Sequence, residues 1–250
     1  MTAFSFLAGL GASLGLWQVT RTAQPQHMRR LADYGLVVLV LALAGARLFY
    51  VGLHAAYYAP RPLEALQFWQ GGFSWPGAAA GGLLGMALLA LVRRRSFAWL
   101  ADGLAPLIGP LAVGLWLGCW QAGVVYGAAL APGACCGVPT PDETGAVALR
   151  YPLQVLCALG LLVYLWLVDR LMEPRRGRNA RLEQRTRQGL RAALFGLGLG
   201  LDLLAASLLR ADPVPSWGPL HFDTWCALGL AALSLAGVAG VFVGRVKREA

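Results

Sequence analysis

Long apolar runs alternate with short polar connections along most of the chain. Seven of these runs are about 20 residues long, which is enough to cross a hydrocarbon core of about 30 Å. Because backbone groups inside that core must hydrogen-bond one another, we expect each run to be a helix. The predicted spans are residues 3–20, 34–54, 72–92, 98–127, 151–169, 191–209 and 225–244. The pattern therefore predicts an all-α integral membrane protein, with residues 1–250 forming a single domain.

The fourth apolar run is longer than the others and is interrupted by proline and glycine. Pro106 and Pro110 each lack the N–H group that a helix interior uses, and the proline ring crowds the preceding turn. We therefore expect a kinked or broken helix over residues 98–127. Broken helices at membrane depth line a cavity or a protein interface.

Basic residues are strongly biased to alternate connections, and this bias predicts the orientation. Seventeen of the 21 Lys and Arg residues belong to one side: Arg21, Arg29, Arg30, Arg93, Arg94, Arg95, Arg170, Arg175, Arg176, Arg178, Arg181, Arg185, Arg187, Arg191, Arg245, Lys247 and Arg248. The opposite side holds only Arg61, Arg150 and Arg210. Because cytoplasmic loops carry the excess of Lys and Arg, we expect the N-terminus outside and the C-terminus in the cytoplasm. The basic connection 170–191 could add a short surface helix.

Composition agrees with an inner-membrane location and argues against a soluble protein. Hydrophobic residues make up 58% of the chain and charged residues only 13%, whereas roughly 25% charge is usual for a soluble domain. The net charge of +9 is explained by orientation, so we expect no nucleic-acid partner. The apolar N-terminal run lacks a positive leading segment and is predicted to be the first span, not a cleaved signal peptide.

A few charged side chains fall inside the predicted spans, namely Arg47, Asp102 and Asp202. Burying one such charge costs at least about 2.5–3.5 kcal/mol on insertion scales, so each should have a partner. One interpretation is a polar cavity that binds a lipid headgroup, with Arg47 gripping a phosphate. The alternative is pairing between helices, for example of Arg47 with Asp102 or Asp202.

Cysteine and histidine residues are few and lack the spacing of a metal or haem site. Cys135 and Cys136 are adjacent in a predicted external connection, where they could bridge each other, pair with Cys226 or remain free. His54 and His221 lie on the predicted outer side but far apart in sequence. No nucleophile elbow or phosphate-binding glycine loop occurs. We therefore expect no metal and no cofactor.

Five short segments, in order, resemble the prolipoprotein diacylglyceryl transferase family. Residues 45–50 are similar to its Gly-Gly-Arg-Leu-Gly-Tyr segment, and residues 67–74 to its Trp-x-Gly-Gly-Met-Ser segment. Residues 101–106 match Ala-Asp-x-x-Ala-Pro. Residues 117–127 resemble a Gly-Cys-Phe-x-Ala-Gly segment, and residues 151–154 stand where the family has His-Pro-x-Gln. The resemblance covers most of the chain and implies the same seven-span topology.

The family's activity joins a lipid to a protein. The thiol of a lipoprotein-precursor cysteine attacks the glyceryl carbon of phosphatidylglycerol, and glycerol phosphate leaves. Such a reaction needs a group that takes the thiol proton and cations that stabilise the phosphate. The resemblance implies a phosphatidylglycerol-like phospholipid as ligand. It also makes Arg47, Asp102, Gln154 and Arg210 the retained candidate lipid-binding residues.

The chain departs from the family at positions where the family has charged or catalytic groups. In order, the residues found there are Pro76 for histidine, Trp116 for arginine, Val124 for an acid, Tyr151 for histidine, Cys157 for glutamate, Leu203 for arginine and Ser207 for glutamate. We assign no catalytic residue on this basis. The hypothesis that follows is a catalytically degenerate relative that acts as a membrane subunit or a lipid-binding scaffold. The alternative is an active phosphatidylglycerol–prolipoprotein diacylglyceryl transferase acting on lipoprotein precursors. A transporter or channel is less well supported, because few ionisable residues lie at depth.

Overall fold

A computed structural model describes residues 2–131, 133–134, 136–142, 144–172 and 188–249. Most of the predicted surface helix within 170–191, and Cys135, lie outside these residues. The described chain is mainly helical, and seven of its helical segments are long and apolar enough to cross a membrane. The predicted all-α membrane fold is therefore confirmed. The orientation of the termini stays a prediction.

The helices are α1 (Thr2–Thr22), α2 (Met28–Leu53), the short α3 (Ala55–Tyr58), α4 (Trp75–Val92), α5 (Phe97–Leu104), α6 (Ile108–Ala122), α7 (Leu153–Met172), α8 (Leu190–Leu209) and α9 (Phe222–Glu249). We use "outer end" for the end of the bundle where α2, α6 and α8 finish and α4, α7 and α9 begin. The opposite end, which collects most of the arginines, is called the basic end.

The fourth span is divided, as the prolines predict. A 3₁₀ turn at Ala105–Leu107 separates α5 from α6, and Pro106 lies within it. The span ends at Ala122, earlier than the predicted residue 127, because Gly123 adopts a left-handed conformation with φ 65°. The N–H of Val124 then bonds the carbonyl of Cys119 at 3.1 Å. This is the hydrogen-bond pattern with which glycine commonly terminates a helix.

Glycines allow two pairs of helices to approach closely. A Cβ atom at Gly45 of α2 would lie 2.5 Å from the carbonyl oxygen of Gly77 in α4. Likewise, a Cβ atom at Gly11 of α1 would lie 2.5 Å from the carbonyl oxygen of Pro110 in α6. Small residues at such crossings let backbones pack tightly in lipid, where helices gain little from the hydrophobic effect.

The buried apolar core follows the axis of the bundle. Near the basic end, Val19, Leu31 and Leu100 pack together, and a further cluster includes Leu165 and Phe195. Toward the outer end a third cluster is formed by Trp116, Leu153, Cys157, Ala158 and Ala206. The first cluster joins α1, α2 and α5. The other two join α6, α7 and α8, so the outer ends of these three helices lie side by side.

The outer connections contain the irregular structure. Two 3₁₀ turns, Pro62–Leu66 and Phe68–Gln70, follow α3. An antiparallel hairpin of β1 (Val138–Pro141) and β2 (Val147–Arg150) precedes α7. A smaller hairpin of β3 (Ser216–Trp217) and β4 (Leu220–His221) leads into α9.

Candidate polar site at the outer end

Residues 123–127, which we call the turn segment, form the centre of the polar structure at the outer end. Val125 has φ 55°, which is unusual for a β-branched residue and costs of order 1–3 kcal/mol. Such strain persists only where surrounding contacts enforce it. Here the buried side chains of Gln154 and Asp212 each hydrogen-bond the backbone of the segment.

Gln154 is the first of these side chains and is 1% exposed. It lies in the first turn of α7, and its Nε2 donates a hydrogen bond to the carbonyl of Val124 at 3.0 Å. Its Oε1 is buried and has no hydrogen-bond partner among the described residues. Gln154 therefore fixes the turn segment and leaves one acceptor unused.

Arg210, which directly follows α8, positions the second of these side chains, Asp212. Its Nε donates to Oδ1 of Asp212 at 2.7 Å, Nη2 donates to Oδ2 of the same carboxylate, and Nη1 donates to Asp223 at 2.7 Å. Burial disfavours its charge, but the hydrogen bonds and charges of the two carboxylates outweigh burial and raise the pKa of Arg210. Asp212 in turn accepts from the N–H of Val125 at 3.2 Å. The structure thus brings Gln154 and Arg210 to one segment.

A second polar group lies deeper, between α6, α7 and α8. The indole Nε1 of Trp116 donates to Oδ2 of Asp202 at 2.9 Å, and the thiol of Cys157 lies beside this carboxylate. Leu203 packs against the same buried cluster. The family resemblance implies charged groups at three of these positions. This chain has an indole there in Trp116, a thiol in Cys157 and an isobutyl group in Leu203. Asp202 is the charged member of this group.

Arg47 forms neither of the carboxylate pairs considered from the sequence. It is 2% exposed, and every nitrogen of its guanidinium donates to a backbone carbonyl. Nε bonds Ala65 at 3.0 Å, Nη2 bonds Glu64 at 2.7 Å, and Nη1 bonds both Gly71 and Gly72. Arg47 therefore ties the connection 62–72 to the outer end of α2.

Asp102 lies at the basic end, away from the other candidate residues. Its carboxylate accepts hydrogen bonds from the N–H groups of Gly189 at 2.6 Å and Ala192 at 2.9 Å, which open α8. Arg210 follows the other end of that helix, about 30 Å away for 20 helical residues. Asp102 and Arg210 therefore do not belong to one site. Because Asp102 lies at the opposite end from Arg47, the positions of these residues do not support a polar cavity shared by Arg47, Asp102 and Asp202.

The hairpin of β1 and β2 extends the polar structure beyond the outer ends of the helices. Arg150 pairs with Asp142 at 3.3 Å, and its guanidinium carbon lies 4.2 Å from the ring centroid of Tyr126 in the turn segment. A hydrogen bond from Thr144 is the main cause that lowers the pKa of Asp142. These contacts couple the hairpin to the turn segment.

Sequence reasoning missed the acidic partners at the outer end. Asp212 is two residues beyond Arg210, and Asp223 lies in the first turn of α9. Because opposite charges flanking a short hairpin meet when it folds back, the placement of Arg210, Asp212 and Asp223 was a usable signal. Among the described residues, Cys119, Cys136, Cys157 and Cys226 are free thiols, so Cys136 and Cys226 form no bridge with each other.

Comparison with known proteins gives a consistent family assignment. The sequence model of the family described as prolipoprotein diacylglyceryl transferase matches residues 1–240. A phosphatidylglycerol–prolipoprotein diacylglyceryl transferase of Thermosynechococcus vestitus is 33% identical over 116 residues, covering 45% of this chain and 43% of the relative. The Bacillus licheniformis protein of that name is 35% identical over 117 residues, with the same coverages of 45% and 43%. The chain thus aligns with less than half the length of these relatives. With seven apolar helices, the family match identifies a multi-pass protein of the bacterial inner membrane.

Proposed function

The chain belongs to the prolipoprotein diacylglyceryl transferase family, and we propose that it is a member without transferase activity that serves as a membrane subunit or lipid-binding scaffold. One observation carries the proposal: both arginines retained at the outer end are already paired within the protein. All three nitrogens of the Arg47 guanidinium donate to carbonyl oxygens, and Arg210 is held between two carboxylates. Each guanidinium would have to compete with these internal partners to bind a phosphate.

The charge balance at the outer end supports the same proposal. Transfer of a diacylglyceryl group from phosphatidylglycerol requires stabilisation of a leaving phosphate by cations. Around the turn segment, Arg210 faces Asp212 and Asp223, with Asp202 deeper in the bundle. Asp212 and Asp223 outnumber Arg210, while Arg150 beside Tyr126 is balanced by Asp142. The resulting surplus of buried negative charge disfavours an incoming phosphate.

Trp116 gives the proposal a steric component. Its side chain is buried in the cluster with Leu153, Cys157 and Ala206, at the position where the family resemblance implies an arginine. An indole there occupies volume and satisfies Asp202, whereas an arginine would supply positive charge. Replacement of the family's arginine by Trp116 therefore removes a phosphate-binding cation and also fills the space that the cation would occupy.

Complementation tests whether the chain transfers lipid. In a strain depleted of its own transferase, we expect this protein to leave a reporter lipoprotein without thioether-linked diacylglycerol, as read by mass spectrometry. A known active transferase expressed to equal level in the same membranes is the positive control. Detection of the modified reporter with the wild-type chain would refute the proposal.

A scaffold also predicts a stable partner. Purification in mild detergent should retain one or more other membrane subunits in fixed ratio to the chain, as measured by quantitative mass spectrometry. A Trp69→Ser variant, altered at an exposed outer aromatic, tests whether the partner contacts this end. If the chain purifies alone and carries only lipid, the subunit form of the proposal fails.

The second function is active diacylglyceryl transfer to lipoprotein precursors. It is favoured by the family match over residues 1–240 and by the activity for which the aligned relatives are named. The complementation experiment separates the two functions, because only the transferase yields the modified reporter.

A further inference from the structure

Two connections at the basic end each carry three exposed arginines. Arg21, Arg29 and Arg30 flank the turn between α1 and α2, and Arg93 to Arg95 form the turn between α4 and α5. We call these six residues the arginine patch. They belong to none of the polar groups described at the outer end.

Aromatic contacts join the two connections into one surface. His27, between α1 and α2, meets Trp99 of α5 edge to face, with centroids 5.4 Å apart. The guanidinium carbon of Arg95 lies 5.6 Å from the centroid of the same Trp99 ring. Arg93 reaches across to Tyr34 of α2 at 5.9 Å. The two groups of arginines therefore flank a shared aromatic floor.

The positive charge of the patch is not neutralised by the described part of the protein. None of the six arginine side chains forms an ion pair with, or donates a hydrogen bond to, a residue described by the structure. Asp33 is the acidic residue in the segments 17–34 and 91–99. Nearby, Asp102 is bound to backbone N–H groups, and Asp169 pairs with Arg191.

Apolar side chains border the patch on its lipid-facing side. Leu91 and Val92, directly before Arg93, are 75% and 72% exposed, and Trp17, whose ring lies under Arg21, is 56% exposed. A dissolved anion would use only the guanidinium groups. An anionic phospholipid would contact both the arginines and the apolar border, since its headgroup meets the arginines while its acyl chains cover the border.

We propose that the arginine patch binds a phospholipid with two phosphodiester groups, of the cardiolipin type, from the leaflet at the basic end. One group of three arginines is available for each of the two linked phosphates, and a guanidinium pairs well with phosphate oxygens. This binding is independent of whether the chain transfers lipid.

The test is a lipid titration of the full chain in detergent, followed by native mass spectrometry. Tetraoleoyl cardiolipin and dioleoyl phosphatidylglycerol are the probes, and glycerol phosphate is the soluble competitor. We expect the first cardiolipin molecule to bind at least about tenfold more tightly than phosphatidylglycerol, because each additional engaged arginine raises the affinity about fivefold. Equal affinity for the two lipids, or displacement by glycerol phosphate at equal concentration, would overturn the proposal.

Variants separate a specific surface from general positive charge. The combined Arg93→Ala, Arg94→Ala and Arg95→Ala variant should lose at least about tenfold in cardiolipin affinity. The matched control, Arg175→Ala with Arg176→Ala and Arg178→Ala, removes the same charge from the same predicted side and should lose less than about threefold. Equal losses in both would contradict a specific site.

A single substitution guards against misfolding of the triple variant. Arg94 has φ 48°, a conformation that glycine adopts without strain. Arg94→Gly should therefore fold normally, as checked by its melting temperature, and weaken cardiolipin binding by about fivefold. Unchanged binding in this folded variant would count against the proposal.

Discussion

Arg47 illustrates how a charge can be kept inside a membrane protein without an acidic partner. The sequence identifies it as exceptional, because charges at membrane depth are rare and expensive. The sequence does not reveal its partners, because these are carbonyl oxygens of residues 64, 65, 71 and 72. Any residue type carries a carbonyl, so only the path of the folded connection brings these four together.

Replacing Arg47 by lysine should loosen the connection 62–72. A lysine ammonium has three donors at one point and cannot reproduce the planar fork that meets four carbonyls, and each buried carbonyl left unpaired costs about 1–3 kcal/mol. We expect chymotrypsin to cleave after Phe68 or Trp69 at least about tenfold faster, because local opening becomes more frequent.

Arg61→Lys is the matched control for that measurement. Arg61 belongs to the same connection but is exposed and lies over the ring of Tyr57 at 5.0 Å. Its cleavage pattern should stay within about twofold of the wild type, since exposed charges contribute little. If both lysine variants are cleaved at the same rate, Arg47 is not what holds the connection.

At the scale of elements, helix existence was easier to predict than helix ends or partners. Uninterrupted apolar length predicts each span, and Pro106 predicts the break that divides α5 from α6. The end of α6 was placed too late, because residues 123–127 are as apolar as the helix before them. The conformation of Gly123 and the hold of Gln154 and Asp212 on the turn segment decide that boundary, and both are tertiary effects.

The start of α8 depends on a side chain from another helix. Its N-cap, Gly189, supplies no side-chain hydrogen bond, and Asp102 of α5 binds two of its N–H groups instead. A carboxylate there also interacts favourably with the helix dipole. Asp102→Ala should therefore lower the free energy of unfolding by about 1–2 kcal/mol, seen as a lower melting temperature in detergent.

Asp33→Ala provides the comparison for the Asp102 variant. Asp33 is exposed on α2 near the same end of the bundle and makes no ion pair with the described residues. Its removal should leave the melting temperature nearly unchanged, as for most surface substitutions. Similar decreases in both variants would show that loss of negative charge at the basic end matters, and not the helix cap.

Across the whole molecule, the two ends of the bundle differ in how their charges are satisfied. Outer-end charges form internal pairs, such as Arg210 with Asp223 and Arg150 with Asp142. At the basic end the arginine patch is left without ion pairs to the described residues. The count of basic residues was readable from sequence. The contrast between paired and unpaired arginines was not, because it depends on which connections fold beside each other.

This asymmetry also makes the orientation testable. Unpaired arginines resist transfer across the membrane, so the basic end should remain in the cytoplasm. A green fluorescent protein fused after residue 249 should fluoresce, and alkaline phosphatase at the same point should be inactive. Alkaline phosphatase inserted after Gly145, in the outer hairpin, should be active because this connection would face the periplasm. Alkaline phosphatase inserted after Ser96, next to the arginine patch, should be inactive because this connection would face the cytoplasm. An active phosphatase at residue 249 or at Ser96 would contradict the orientation and would move the proposed lipid site to the outer leaflet.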